Sequence, residues 1–216
     1  MKLMNDVKDS IPESDKRISS ANMGLLQAKY AADAGRLTRF ALTRFYAALD
    51  RMLDQVTATT ALDAGCGEGH ILTPFLVRRY PEVYGIDLDI ERLRYAKRHQ
   101  ETLRLLQGNL QAVPFPTNTA DIVLALEVLE HVGQPEKALA EIHRVTRRYA
   151  ILSVPNEPFW RIGNMARGAY WGQLGNTPEH INHWSVWGFK RFVSRHFKVL
   201  DVATPVTWTF ILAEKK

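Results

Sequence analysis

The segment Ala61-Leu-Asp-Ala-Gly-Cys-Gly-Glu-Gly69 constrains the fold of this chain more than any other stretch. It reads as an apolar strand with an acid at its end, three glycines at alternate positions, and then a helix. Glycines at 65, 67 and 69 let the backbone turn tightly and come within contact distance of a ligand. The spacing is G-x-G-x-G, not the G-x-G-x-x-G of dinucleotide binders, and no Lys-Ser/Thr pair follows as in a phosphate-binding P-loop. A helix N-terminus at this place can hold an anion such as a carboxylate. Asp63, beneath the turn, suits a cationic amine instead.

Around this segment, strands and helices alternate. Strands are expected at Thr59–Asp63, Val83–Ile86, Leu103–Gln107, Ala120–Leu126 and Arg148–Val154, with helices at about 69–79, 90–100 and 135–145. Such alternation implies right-handed crossovers and a parallel sheet. Ser185 can cap a helix over 186–196. Phe197–Ala203 and Val206–Ala213, joined by Thr204-Pro205, then form a hairpin at one edge. The fold class is α/β: a seven-stranded, mostly parallel sheet with an antiparallel edge strand and helices on both faces. Residues 1–22 read as a flexible arm and 23–216 as one domain. Within that domain, 23–55 is a helical cap whose apolar face includes Leu37, Phe40, Phe45 and Leu49, and 156–184 is an insertion on the substrate side.

Composition narrows the class further. In 216 residues there are 13 Gly, 10 Pro and 1 Cys, which excludes collagenous, low-complexity and disulfide-stapled chains. No apolar run approaches the ~18 residues of a membrane span. The first residues lack the apolar core of a secretory signal, so a cytoplasmic location is expected. The formal charge is +5, but the basic clusters Arg92, Arg94, Lys97, Arg98 and Arg144, Arg147, Arg148 fall on expected surface helices. A solvated face accounts for them better than a nucleic-acid stripe.

Further residues join the glycine turn at the carboxyl ends of successive strands, where open α/β sheets bind ligands. Asp87 can accept hydrogen bonds from ribose hydroxyls, and Leu88 can cover one face of a purine. Asn109 can read an adenine edge, with Leu110 beside it. The fourth strand runs into Leu126, Glu127 and then Glu130-His131. Each has a purely structural alternative: a turn glycine, a helix cap, a loop Asn, a satisfied His. Four such coincidences in the right order are far less economical than one site.

Taken together, ALDAGCGEG, YGIDLD, QGNLQAVPF, DIVLALEVLEHV and LSVPN resemble the motifs of class I S-adenosylmethionine-dependent methyltransferases, which have a Rossmann-like fold. More narrowly they resemble the small-molecule branch that contains the ubiquinone and menaquinone biosynthesis methyltransferases. The resemblance implies S-adenosylmethionine as cofactor and S-adenosylhomocysteine as product. It places Asp63, Gly65, Cys66 and Gly67 around the methionine part, Asp87 on the ribose and Leu88 against adenine. Asn109, where many members have Asp, falls at the adenine amine, and Leu126 and Glu127 lie along the methionine part. Val145-Thr-Arg-Arg-Tyr149 replaces the Leu-Lys-Pro-Gly-Gly turn often found before the fifth strand. Ala125-Leu-Glu127 stands where amino-methyltransferases of nucleic acids carry an Asn-Pro-Pro-Tyr type of motif, which argues against DNA base amines as acceptors.

The expected acceptor is a small molecule, methylated at oxygen or carbon. His131 is the candidate general base, needed only if the acceptor arrives protonated; the alternative is a helix-entry His bonded to a carbonyl. Tyr30, Trp160, Tyr170, His180 and His183 are candidate substrate contacts, and an aromatic minor core is the competing reading of that stretch. His180-Ile-Asn-His183 also invites a metal with Glu127, Glu130 or His131 as third ligand, but no His-Glu-x-x-His helix is present and no metal is expected. Arg36, Arg39 and Arg44 on the N-terminal helix allow peripheral contact with an anionic membrane and a lipid-like quinone acceptor. An inactive S-adenosylmethionine-binding subunit or regulator is one competing function, and a methyltransferase acting on a macromolecular acceptor is another.

Overall fold

Every residue of Ala120–Leu126 except Asp121 is buried, which is the signature of a strand covered on both faces. Its side chains alternate. Ile122, Leu124 and Leu126 enter one apolar cluster, Val123 and Ala125 the other. A computed structural model describes residues 36–69, 73–99, 103–157, 161, 165 and 180–216. Among these the elements run α1 (Arg36–Leu53), β1 (Thr60–Ala64), α2 (Thr73–Val77), β2 (Glu82–Asp87), α3 (Ile90–His99), β3 (Arg104–Gln107) and β4 (Ala120–Leu126). A 3-10 turn (Leu129–His131), α4 (Pro135–Val145), β5 (Thr146–Pro155), α5 (Val186–Val193), β6 (Phe197–Ala203) and β7 (Trp208–Lys215) follow.

The strands form one sheet in the order β3-β2-β1-β4-β5-β7-β6. Pairings from β3 through β5 are parallel. The strand β7 is antiparallel to both β5 and β6, so the terminal hairpin closes one side of the sheet as expected. The chain order reverses beside β1, where β2 and β4 flank it. This is the switch point at which α/β sheets open a crevice.

On one face α1 lays Leu42, Phe45, Leu49 and Met52 on β7 and β4. The Phe45 ring meets Trp208 and Phe210 edge-on, with centroids 5.1 and 4.6 Å apart. On the other face Leu139, Ile142 and Val145 of α4 and Phe189, Phe192 and Val193 of α5 cover β4, β5 and β7. Ser185 caps α5 by accepting a hydrogen bond from the Gly188 amide. Residues 1–35, which include the proposed arm and the start of the helical cap, lie outside the described residues, as does most of 156–184. No helix of the described residues is long and apolar enough to cross a membrane.

Candidate functional site

The chain leaves β1 through a turn that only glycine accommodates. Gly65 and Gly67 have φ of +89° and +53°, in the left-handed region. A Cβ on Gly65 would lie 2.4 Å from Val128 Cγ2, so the turn is pressed against the segment that follows β4. At Gly67 the same construction meets nothing within 4 Å, so this glycine faces open space. The Gly65 and Cys66 amides both donate to the Ile86 carbonyl, at 2.7 and 2.9 Å, which ties the turn to the end of β2.

Asp87, at that end, organises the rim. One oxygen accepts from the Gly67 amide at 2.8 Å and the other from the Asp89 amide at 2.9 Å. Asp63, one strand over, is 1% exposed, and neither of its carboxylate oxygens has a hydrogen-bond partner among the described residues. Burial, and then the negative charge of Asp87, push its carboxyl up to about 7. A buried carboxylate without a partner is costly, and a cation placed beside it removes the cost. Cys66 is buried too. Desolvation and the two carboxylates push its thiol up, so it stays protonated and inert, and it packs against Gly85, where a Cβ would lie 2.9 Å from its sulfur.

The remaining candidates for the cofactor sit at or just beyond the carboxyl ends of β2, β3 and β4. Leu88 is 66% exposed just beyond Asp87, with its carbonyl held by the Gln107 side chain. Asn109 closes a turn after β3, its Oδ1 accepting from the Gln111 amide at 2.8 Å, and Leu110 is buried beside it. Leu126 is buried at the end of β4. Glu127 follows with φ of +57°, its Oε1 accepting from the Ser153 hydroxyl at 2.8 Å. Backbone strain in a non-glycine residue at a strand end is a feature of functional sites. Val128 and Ser153 escape sequence reasoning, because only the approach of the glycine turn to the segment after β4, and the pairing of β4 with β5, reveal them.

Beyond β4 the 3-10 turn carries Glu130, which is 1% exposed, and His131, whose side chain is 33% exposed. His180 packs against His131, with ring centroids 5.0 Å apart and planes at 75°. His183 goes elsewhere, its Nδ1 lying 3.8 Å from Glu157 Oε1. Tyr30, Trp160 and Tyr170 lie outside the described residues.

The residues present fit an S-adenosyl cofactor: a buried acid beneath the turn with no partner among the described residues, an open-sided glycine, and a second acid at the neighbouring strand end. Comparison with known proteins agrees. A family model described as "Methyltransferase domain" matches residues 62–154. The malonyl-[acyl-carrier protein] O-methyltransferase of Herminiimonas arsenicoxydans is 32% identical over 139 residues, 63% of this chain and 50% of that protein. The chain spans about half or less of the length of the curated relatives it matches. Among solved structures, a magnesium protoporphyrin IX methyltransferase of Synechocystis PCC 6803 with bound S-adenosylhomocysteine superposes with a TM-score of 0.66 at 15% identity, over 88% of this chain and 93% of that one. An S-adenosylmethionine-dependent methyltransferase of Aquifex aeolicus gives 0.61 at 22% identity, over 77% and 89%. Residues 62–154 thus match a methyltransferase domain, and in its glycine turn, its two strand-end acids and its sheet order the chain is similar to the class I S-adenosylmethionine-dependent methyltransferases.

Proposed function

We propose that this chain transfers a methyl group from S-adenosylmethionine to a small-molecule acceptor, at oxygen or carbon. The observation that carries the reading is Asp63, a buried carboxylate without a hydrogen-bond partner among the described residues, beneath a glycine turn whose outer face is open. When bound, the cofactor supplies an electrophilic methyl on a sulfonium. Asp63 supplies the counter-charge for an ammonium, and Asp87 presents its acceptors at the ribose position. The turn of residues 65–67 approaches with backbone alone. Fixing the reactants in one crevice supplies much of the rate of an in-line displacement. His131, partly exposed at the mouth of β4, takes the acceptor's proton where there is one to take. An oxygen acceptor gains support from the O-methyltransferase relative.

Asp87→Ala is expected to weaken S-adenosylhomocysteine binding by about 1.5–3 kcal/mol through lost charge-assisted hydrogen bonds, read by calorimetry. Unchanged affinity would remove Asp87 from the site. His131→Ala is expected to lower turnover far more than cofactor affinity, whereas equal losses in both would mark it as structural. The reading as a whole is tested by incubating the chain with methyl-labelled S-adenosylmethionine and a panel of hydroxyl and carbon acids. Acceptor-dependent release of S-adenosylhomocysteine supports it, and cofactor binding with no turnover on any acceptor class favours a regulatory subunit.

A lipid-like acceptor is the second reading. Leu37 and Phe40 are 78% and 60% exposed on α1, next to Arg36 and Arg39. Cosedimentation with anionic vesicles, weakened in a Leu37→Ser, Phe40→Ser variant, supports it; absence of cosedimentation removes it.

A further inference from the structure

We propose that Glu130, His131 and His180 bind a divalent transition-metal ion at the carboxyl end of β4. One donor atom from each of the three lies within 4.8 Å of the others. Bound zinc holds its donors at about 2.0–2.2 Å, which separates them by roughly 3.3 Å in a tetrahedron. Small rotations of three side chains therefore close the set on an ion. Two imidazoles and a carboxylate suit zinc, iron or manganese far better than calcium or magnesium, which prefer oxygen alone.

The cluster is built by the fold and not left to chance. The Ile181 and Asn182 amides both donate to the Glu130 carbonyl, at 3.0 and 3.1 Å. The Asn182 side chain donates to the Leu129 and Val132 carbonyls, at 3.0 and 2.7 Å. These four bonds pin the last part of the insertion onto the 3-10 turn, and so bring His180 to residues 49 and 50 positions earlier in the chain. Glu130 and His180 are 1% and 4% exposed, while His131 keeps one side of the cluster open. Three protein donors with an open side are the pattern of a reactive metal site; structural sites are closed. The spacing of His180 and His183 misleads here, since His183 faces Glu157 and only His180 joins the set.

The use of the ion rests on the methyl-transfer reading. The side left open by His131 lies just beyond the carboxyl end of β4; an acceptor hydroxyl reaching the ion there would be acidified and would release its proton to solvent. His131 then serves as a ligand, and the work assigned to it as a base passes to the ion.

The chelator-treated chain titrated with zinc chloride is expected to take up one ion. His180→Ala and, separately, His131→Gln are expected to weaken uptake by about a hundredfold or more, beyond the loss typical of an outer-shell contact. No uptake, or uptake equal in the wild type and both variants, overturns the proposal. Cobalt chloride added to the wild type gives a reading that no variant's folding can spoil. Strong visible bands of a four- or five-coordinate ion support the site, and the pale spectrum of the hydrated ion overturns it. Titration of the same samples with S-adenosylhomocysteine separates the two claims, because zinc uptake without nucleotide binding would sink the methyl-transfer reading and leave the metal site standing.

Discussion

Gly65→Ala is expected to cost about 2–5 kcal/mol of folding stability and to abolish cofactor binding in whatever protein remains folded. Two causes add. The backbone at Gly65 has φ of +89°, which strains any residue bearing a Cβ. The new methyl would also sit 2.4 Å from Val128 Cγ2 and 2.9 Å from Cγ1, and Val, being branched at Cβ, has little freedom to swing away. Urea denaturation measures the loss. Adding Val128→Ala removes the steric part and leaves the conformational part, so a double-mutant cycle is expected to show coupling of about 1–3 kcal/mol. Strict additivity would mean that Val128 is not the wall of the turn.

The second large effect is a matter of pH. The unfolded chain gives up the Asp63 proton near 3.8, whereas the folded, ligand-free chain holds it up to about 7. Between those values the folded state binds more protons, so unfolding free energy falls as pH rises, and above 7 the loss is complete. A displacement of that size corresponds to a cost on the order of 4 kcal/mol. Asp63→Asn has no proton to lose. Its stability relative to the wild type is therefore expected to climb between pH 4 and pH 8, as read by denaturant melts of ligand-free protein, while its affinity for S-adenosylhomocysteine collapses. A flat difference across that range would show that Asp63 is ionised at no cost, and the case for a waiting cation would go with it.

Much of this arrangement was legible in the sequence because it depends on local patterns. The ranges Ala120–Leu126, Pro135–Val145 and Phe197–Ala203 coincide with β4, α4 and β6, since apolar periodicity, Pro135 at a helix start and the turn at Pro205 mark them sharply. Other edges moved for identifiable reasons. The strand β5 starts at Thr146 instead of Arg148, because exposed arginines pair with Asp121 and Glu214 while their backbone already joins the sheet. The strand β7 starts at Trp208 instead of Val206, which sits in the turn with φ of +54°. The 3-10 turn at Leu129–His131 is too short to leave a period. In the site, Asp63, the glycines and Asp87 announce themselves by position. The pairing of Ser153 with Glu127, the pressure of Val128 on Gly65 and the meeting of His180 with His131 join distant parts of the chain, and no local signal encodes them.

Calorimetric titration of the purified chain with S-adenosylmethionine and S-adenosylhomocysteine, with NAD as control, tests the central claim most directly. Micromolar binding of both sulfur nucleotides and none of NAD is the expected result. Below pH 7 it should be accompanied by proton release, as an ammonium beside Asp63 draws its carboxyl back to the ionised form. Silence toward both nucleotides, in folded protein cleared of copurified ligand, would contradict the assignment of the crevice between β1 and β4 as a cofactor site.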